Sequence, residues 1–153
     1  MGAPTGDAND VITYEPFYER ANALLKPNDI LISDTSVAAF LGTSRMKLPD
    51  GVDLEAQTSW GAIGWGTPAI LGNAVAAPDR RCIIVAGEGG HQLTANEMGT
   101  FYRYGVKPIF FTVNNGGFHA ERLTNRYPDE EYNDLAQWNF ADIPAAMGCE
   151  DWY

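Results

Sequence analysis

The side chains best suited to chemistry fall in two glycine-rich loops, "GEGGH" from Gly87 to His91 and "NNGGFHAE" from Asn114 to Glu121. In the first, glycines at 87, 89 and 90 permit a tight turn and let main-chain amides approach a ligand closely. A helix predicted to follow directly would aim free N–H groups and its positive end at the same place, which makes a seat for phosphate. Glu88, in the middle of that seat, repels phosphate. A divalent cation held between carboxylate and phosphate removes the conflict. Mg2+ suits the task, because it takes hard oxygen ligands and shares them with substrate phosphates. The second loop supplies what is missing: Asn115 offers a neutral amide oxygen, and Gly117 can turn its own carbonyl inward. Three oxygens would make half an octahedron and leave the rest for diphosphate and water. Each loop alone is ordinary, since glycine-rich connectors are common and "NNGG" is a favoured turn. Their pairing is the more specific signal. Neither is a nicotinamide fingerprint, because Gln92 stands where the third glycine of G-x-G-x-x-G would fall, and no G-K-[ST] phosphate loop occurs.

The elements that must hold these loops are legible as an alternation of strand and helix. Tyr14, Phe17, Tyr18, Ala21, Leu24 and Leu25 recur at helical spacing, and "KPND" ends that helix. "DILIS" is a short buried strand, followed in "DTSVAAFLGTS" by a turn and a small-residue helix. "GVDLEAQ" holds a further strand. Pro68 favours a first turn, so "PAILGNAVAA" becomes a helix. "CIIVAG" and "KPIFFTV" are apolar throughout, as strands covered on both faces are. Between them "HQLTANEMGTFYRYG" reads as one helix stopped by Gly105. The expected fold class is α/β, a parallel sheet flanked by helices on both faces. In such sheets ligands bind beyond the carboxyl ends of the strands, which is where both glycine-rich loops fall.

Length and charge set the outer bounds. A chain of 153 residues suits one domain with its own core. A formal charge of −10 argues against unaided binding to nucleic acid or to an anionic membrane. No apolar run approaches a membrane span, and the N-terminus lacks a basic-then-apolar signal; residues 1–12 read as a flexible tail. Cys82 and Cys149 have no metal-ligand spacing, and Cys82 reads as a buried thiol in a reducing, cytoplasmic compartment. With only His91 and His119, a multi-histidine metal site is excluded. "RYPDEEYND" reads as a solvated acidic loop, and Trp60 and Trp65 as core or interface residues.

Gly89 and Asn114 are separated by 24 residues (90 to 113), and the whole stretch resembles the thiamine diphosphate motif, G-D-G followed at that distance by N-N. "SWGAIGW", "HQLTANEMGTFYRYGVKP", "NNGGFHAERL" and "YNDLAQWNFADIPAAMG" are similar to pyruvate and indolepyruvate decarboxylases, the 2-oxo acid decarboxylase branch. The resemblance covers about Tyr14 to Trp152. It implies the thiamine diphosphate-binding fold over 13–153, as the third, diphosphate-binding domain of a longer chain and short of that domain's last strand. Implied with it are thiamine diphosphate and Mg2+ as cofactors, a small 2-oxo acid as substrate, and non-oxidative loss of CO2 to give an aldehyde. A pyrimidine-binding domain of the same or a partner chain would complete the site, within a homo-oligomer. Without it the chain alone would be inactive.

The resemblance also implies roles. Glu88, Asn115 and the Gly117 carbonyl would hold Mg2+. Gly87, Gly89, Gly90, His91 and Phe118 would line the diphosphate site, with Thr35 and Ser36 from the turn after "DILIS". The Gly61 carbonyl would accept from the aminopyrimidine, and Ile63 would wedge beneath the cofactor and bend it. Position alone makes Glu121 a solvated helix-start residue, favoured by the helix dipole. The resemblance makes it the catalytic glutamate, handling protons at the substrate from a buried setting. His119 either touches substrate or faces solvent. Ala120 replaces a bulkier aliphatic residue, which implies room for larger, aromatic 2-oxo acids.

Three positions depart from the family pattern. Glu88 stands for its metal-binding Asp, Gly90 for its hydroxyl residue and Val37 for its Thr. They favour a second reading, a non-catalytic cofactor-binding or assembly module; Ile63, Asn115 and Glu121 oppose it. A third, an acetolactate-synthase-like carboligase, is disfavoured by Glu121.

Overall fold

Four parallel strands form one sheet in the order β2-β1-β3-β4, with β1 at Ile30–Ser33, β2 at Asp53–Ala56, β3 at Cys82–Gly87 and β4 at Ile109–Val113. The computed structural model describes residues 9–149 and 152, so residues 1–8 of the predicted tail lie outside the described residues. Residues 9–12 are exposed and irregular. β1 pairs with β2 on one side and β3 on the other, Ile32 facing Glu55 and Ile84, and β3 continues to β4 with Ile84 opposite Phe110. The chain therefore leaves β1 in one direction and returns to pair on its other side. That reversal opens a crevice at the carboxyl ends of β1 and β3.

The apolar runs divide between two faces, because successive side chains of a strand point to opposite sides. Ile30, Ile32, Cys82, Ile84 and Ala86 join Ile70, Ala74, Met98 and Phe101 in one core. Leu31, Ile83 and Val85 join Leu25 and Ala38 in the other. The first face is covered by α3 (Gly66–Ala76) and α5 (Met98–Tyr104), the second by α1 (Tyr14–Leu24) and α2 (Val37–Arg45). The expected α/β class, with helices on both faces, is what the chain forms.

One predicted helix is divided. The run expected from His91 to Gly105 begins earlier, as α4 at Glu88–Thr94, and is separated from α5 by a 3-10 turn at Ala95–Glu97. Thr94 sits at φ −133°, outside the helical range, and its hydroxyl donates to the Gly64 carbonyl at 2.8 Å. α5 does end at Gly105, with φ 65°. Trp65 packs on the first core, whereas Trp60 is 87 % exposed. Two short helices follow β4, α6 at His119–Thr124 and α7 at Ile143–Ala146. β4 is half-buried along its whole length, with cavities of about 590 and 830 Å3 beside it.

Candidate cation and phosphate site

The loops after β1, β3 and β4 converge on a cavity of about 80 Å3. Thr35, Ser36, Ile63, Gly87, Glu88, Gly89, Gly90, Asn115, Gly117, Phe118 and Glu121 all line it. These are the sequence-predicted residues apart from Gly61 and His91. Ligand pockets typically run about 300–1,000 Å3. A cavity this small fits part of a ligand and leaves the remainder to another surface.

Glu88, the first residue of α4, is 2 % exposed. Its Oε1 accepts the Gly117 N–H at 2.9 Å and the Asn115 N–H at 3.2 Å, so the carboxylate ties the end of β3 to the loop after β4. One end of the Asn115 amide lies 2.8 Å from the Gly117 carbonyl oxygen and 3.2 Å from Glu88 Oε1, between two acceptors. Turned end for end, the amide donates to both, so the three groups form one hydrogen-bonded cluster, and the reverse turn of the amide would present its oxygen to a cation. Neighbouring ligands of an octahedral Mg2+, at about 2.0–2.1 Å from the metal, stand about 2.9 Å apart. A carboxylate, an amide and a main-chain carbonyl are hard oxygen donors of the kind such an ion takes, and the two spacings about the Asn115 amide are of that size.

The glycines of the first loop do more than open it to a ligand. A β-carbon on residue 89 would lie 2.6 Å from the Phe118 ring and 2.8 Å from Leu135; one on residue 90 would lie 2.5 Å from Asp34 Oδ2. Both glycines sit inside α4 because neighbouring side chains fill the space. The missing hydroxyl at 90 thus has a packing cause within this chain.

Asp34, which sequence reasoning passed over, organises the far wall. It is fully buried just beyond β1, and its two oxygens accept the Gly64 and Gly66 N–H groups, each at 3.0 Å. Burial pushes its carboxyl above the usual range, opposed by hydrogen bonds from Gly66, Gly64 and Thr35. These bonds anchor the segment carrying Gly61 and Ile63. Gly61, at φ 62°, stands at the rim with its β-position 3.9 Å from the Thr35 methyl, and Ile63 is 41 % exposed within the lining. Ser36 caps α2, its Oγ accepting the Ala39 N–H at 3.1 Å.

Three expectations are corrected. The His91 side chain does not join the cavity: one turn along α4 it points into the first core, packed against Phe110 and Phe140, with Nδ1 3.4 Å from Thr67 Oγ1. Burial pulls its pKa down to about 4. "RYPDEEYND" is not simply a solvated loop, because Asn133 is buried and Asp134 bridges to Gly117. Glu121, expected in a buried setting, is exposed in the first turn of α6, at the open side of the cavity. His119 and Ala120 line the same side half-buried. Asp34 left a sequence signal, an acid directly after an apolar strand; Asn133 left none.

Residues 38–153 match the family model described as "Thiamine pyrophosphate enzyme, C-terminal TPP binding domain". Curated relatives include an alpha-keto-acid decarboxylase of Mycobacterium ulcerans, 37 % identical over 147 residues, covering 96 % of this chain and 26 % of the relative. That of Mycobacterium tuberculosis is 37 % identical over 140 residues, 92 % of this chain and 25 % of the relative. The chain thus spans about a quarter of the length of the curated relatives it matches. Among solved structures, the Rhodococcus jostii RHA1 thiamine diphosphate-dependent 4-hydroxybenzoylformate decarboxylase aligns with a TM-score of 0.79 at 20 % identity, covering 95 % of this chain and 29 % of that one, a likeness of fold. With its two loops meeting at the strand ends and its sequence matched from Ala38 onward, this chain belongs to the C-terminal thiamine pyrophosphate-binding domain family of thiamine pyrophosphate enzymes.

Proposed function

We propose that this chain is the diphosphate- and magnesium-binding half of an enzyme that removes CO2 from 2-oxo acids without oxidation. The observation that carries the reading is the convergence of Glu88, Asn115 and Gly117 on the one cavity that Glu121 borders, with the Asn115 amide 2.8 Å from the Gly117 carbonyl oxygen and 3.2 Å from Glu88 Oε1. Mg2+ would be held by these atoms. Without it the Glu88 carboxylate would repel a diphosphate; with it, main-chain N–H groups at Gly89 and Gly90 and the capped start of α2 would share the phosphate charge. Thr35 and Ser36 would line the opposite wall. Ile63 and the Gly61 carbonyl would set the position of the part of the cofactor beyond the cavity.

When bound, thiamine diphosphate supplies the electron sink for breaking the bond to the substrate carboxylate. The protein's share is position and proton transfer. Glu121 is assigned to carry a proton on its carboxyl oxygens to and from the reacting carbon of the substrate, which its place at the open side of the cavity allows. Ala120 beside it leaves room for a bulky substrate side chain. The small cavity volume supports completion of the site by a pyrimidine-binding domain from this or a second copy of the chain in a homo-oligomer. A cytoplasmic setting accords with the free, buried Cys82 and Cys149; among the described residues no helix is long and apolar enough to cross a membrane.

Calorimetric titration of the protein with thiamine diphosphate, with Mg2+ and with EDTA, tests the binding half of the reading. Saturable binding only when Mg2+ is present is expected; binding unaffected by EDTA would overturn it. Comparing pyruvate with phenylpyruvate turnover tests the substrate assignment, and a clear preference for pyruvate would count against a large pocket.

A further inference from the structure

The Gly117 carbonyl is a main-chain group that accepts the His119 N–H at 2.9 Å, and its peptide is held from the other side as well. That peptide joins Gly117 C=O to Phe118 N–H, and the Phe118 N–H donates to the Asn133 carbonyl at 2.9 Å. A trans peptide is planar, with C=O and N–H pointing in opposite directions. Fixing the N–H on Asn133 therefore turns the Gly117 oxygen the other way, to where it meets the His119 N–H at 2.9 Å and lies 2.8 Å from the Asn115 amide.

Asn133 is itself held firmly. It is 2 % exposed, and its Nδ2 donates to the carbonyls of Tyr127 at 3.2 Å and Pro128 at 3.0 Å. Arg122, on α6, clasps the same loop, donating from Nη1 to Pro128 O at 2.9 Å and pairing through Nη2 with Asp134. A β-carbon at residue 117 would lie 2.5 Å from the Asn133 carbonyl and 2.9 Å from Arg122 Nη2, so the glycine there admits this backing.

We propose that Asn133 is a positioning residue which, with Arg122 behind it, aims the Gly117 carbonyl at the cation. The proposal rests on the assignment of Glu88, Asn115 and Gly117 as cation ligands. It extends the site to a loop more than ten residues beyond it in sequence. Loss of such outer partners typically costs about 10–100-fold in metal affinity.

The test uses Mn2+ in place of Mg2+ with the purified full-length protein and thiamine diphosphate, well below the melting temperature of every variant. Asn133→Ala is expected to weaken Mn2+ binding about tenfold or more and to raise water-proton relaxation enhancement, as one more water enters where the carbonyl withdrew. Arg122→Gln, at a more accessible position, is expected to move both quantities in the same direction by less, and it decides the matter if Asn133→Ala does not fold. Folded variants with lower thermal stability but unchanged Mn2+ affinity and hydration would overturn the proposal and leave the ligand assignment standing. Failure of the wild-type protein to bind Mn2+ would overturn both.

Discussion

Glu88 Oε1 accepts the Gly117 N–H at 2.9 Å, joining residues 29 positions apart across the ends of β3 and β4. The extra methylene of Glu relative to Asp is used in that reach. Glu88→Asp withdraws the carboxylate by about 1.5 Å and leaves two main-chain donors, at Asn115 and Gly117, without their acceptor. A loss of about 1–3 kcal/mol in unfolding free energy by urea titration is expected, with weaker Mg2+ binding. Glu88→Gln keeps the length but not the charge, and is expected to lose Mg2+ affinity more than stability.

Glu121 contacts the cavity from its open side and takes no part in either core. Glu121→Gln is therefore expected to lower decarboxylation in the complete enzyme by about 10²–10⁴-fold, while thiamine diphosphate and Mg2+ bind as before. Turnover equal to wild type would remove this residue from the reaction.

Asp34 serves two main-chain donors at once. Asp34→Asn keeps one acceptor and sets an NH2 group against the other N–H, at a cost of about 1–3 kcal/mol. The segment from Gly61 to Gly66 is expected to loosen first. Faster amide hydrogen exchange at Gly64 and Gly66, with protection of β3 retained, is the expected signature.

Restoring a hydroxyl at position 90 is expected to harm the protein. The β-carbon of Gly90→Ser would meet Asp34 Oδ2 at 2.5 Å and the Gly64 nitrogen at 3.1 Å. Overpacking of this kind costs about 1–3 kcal/mol. A lower melting temperature with no gain in cofactor affinity is the expected result; tighter binding would show that the site tolerates the family's usual side chain.

His91 makes stability depend on pH. Its folded pKa, about 4, lies below the ordinary 6.5, because burial disfavours the charged ring. The unfolded chain therefore binds the proton more readily, and the neutral ring's contribution is complete above pH 6.5 and lost as pH falls toward 4. The shift corresponds to about 3 kcal/mol. Melting temperatures measured between pH 7 and 4 are expected to fall, and His91→Gln, less stable at neutral pH, is expected to show a shallower fall.

Most of the frame was legible because it depends on local pattern. "CIIVAG" became β3 without adjustment, and the α1, β1 and α2 runs shifted by a residue or two at their ends. The two loops could be paired because strand ends of a parallel sheet lie on one side. What escaped was set by contacts distant in sequence. Glycines at 89 and 90 read as openings for a ligand, yet Phe118, Leu135 and Asp34 occupy the space beside them. His91 read as a phosphate neighbour from its place in the loop. The ring instead packs against Phe110 and Phe140, which lie 19 and 49 residues further along the chain. The acidic run around Asn133 carried no periodicity, and its role comes from a single carbonyl meeting the Phe118 N–H.

The two margins of the sheet are unlike. β2 carries Asp53 and Glu55, the first paired with Arg80 and the second with Asn73, so that rim is studded with polar groups that resist a foreign strand. β4 offers Ile109, Phe110, Phe111, Thr112 and Val113, none fully covered among the described residues. Main-chain pairing at that rim is sequence-indifferent, so the aggregation tendency of this polypeptide in concentrated solution is expected to be governed by β4. Lysine substitutions there are expected to reduce it without touching the proposed cation ligands.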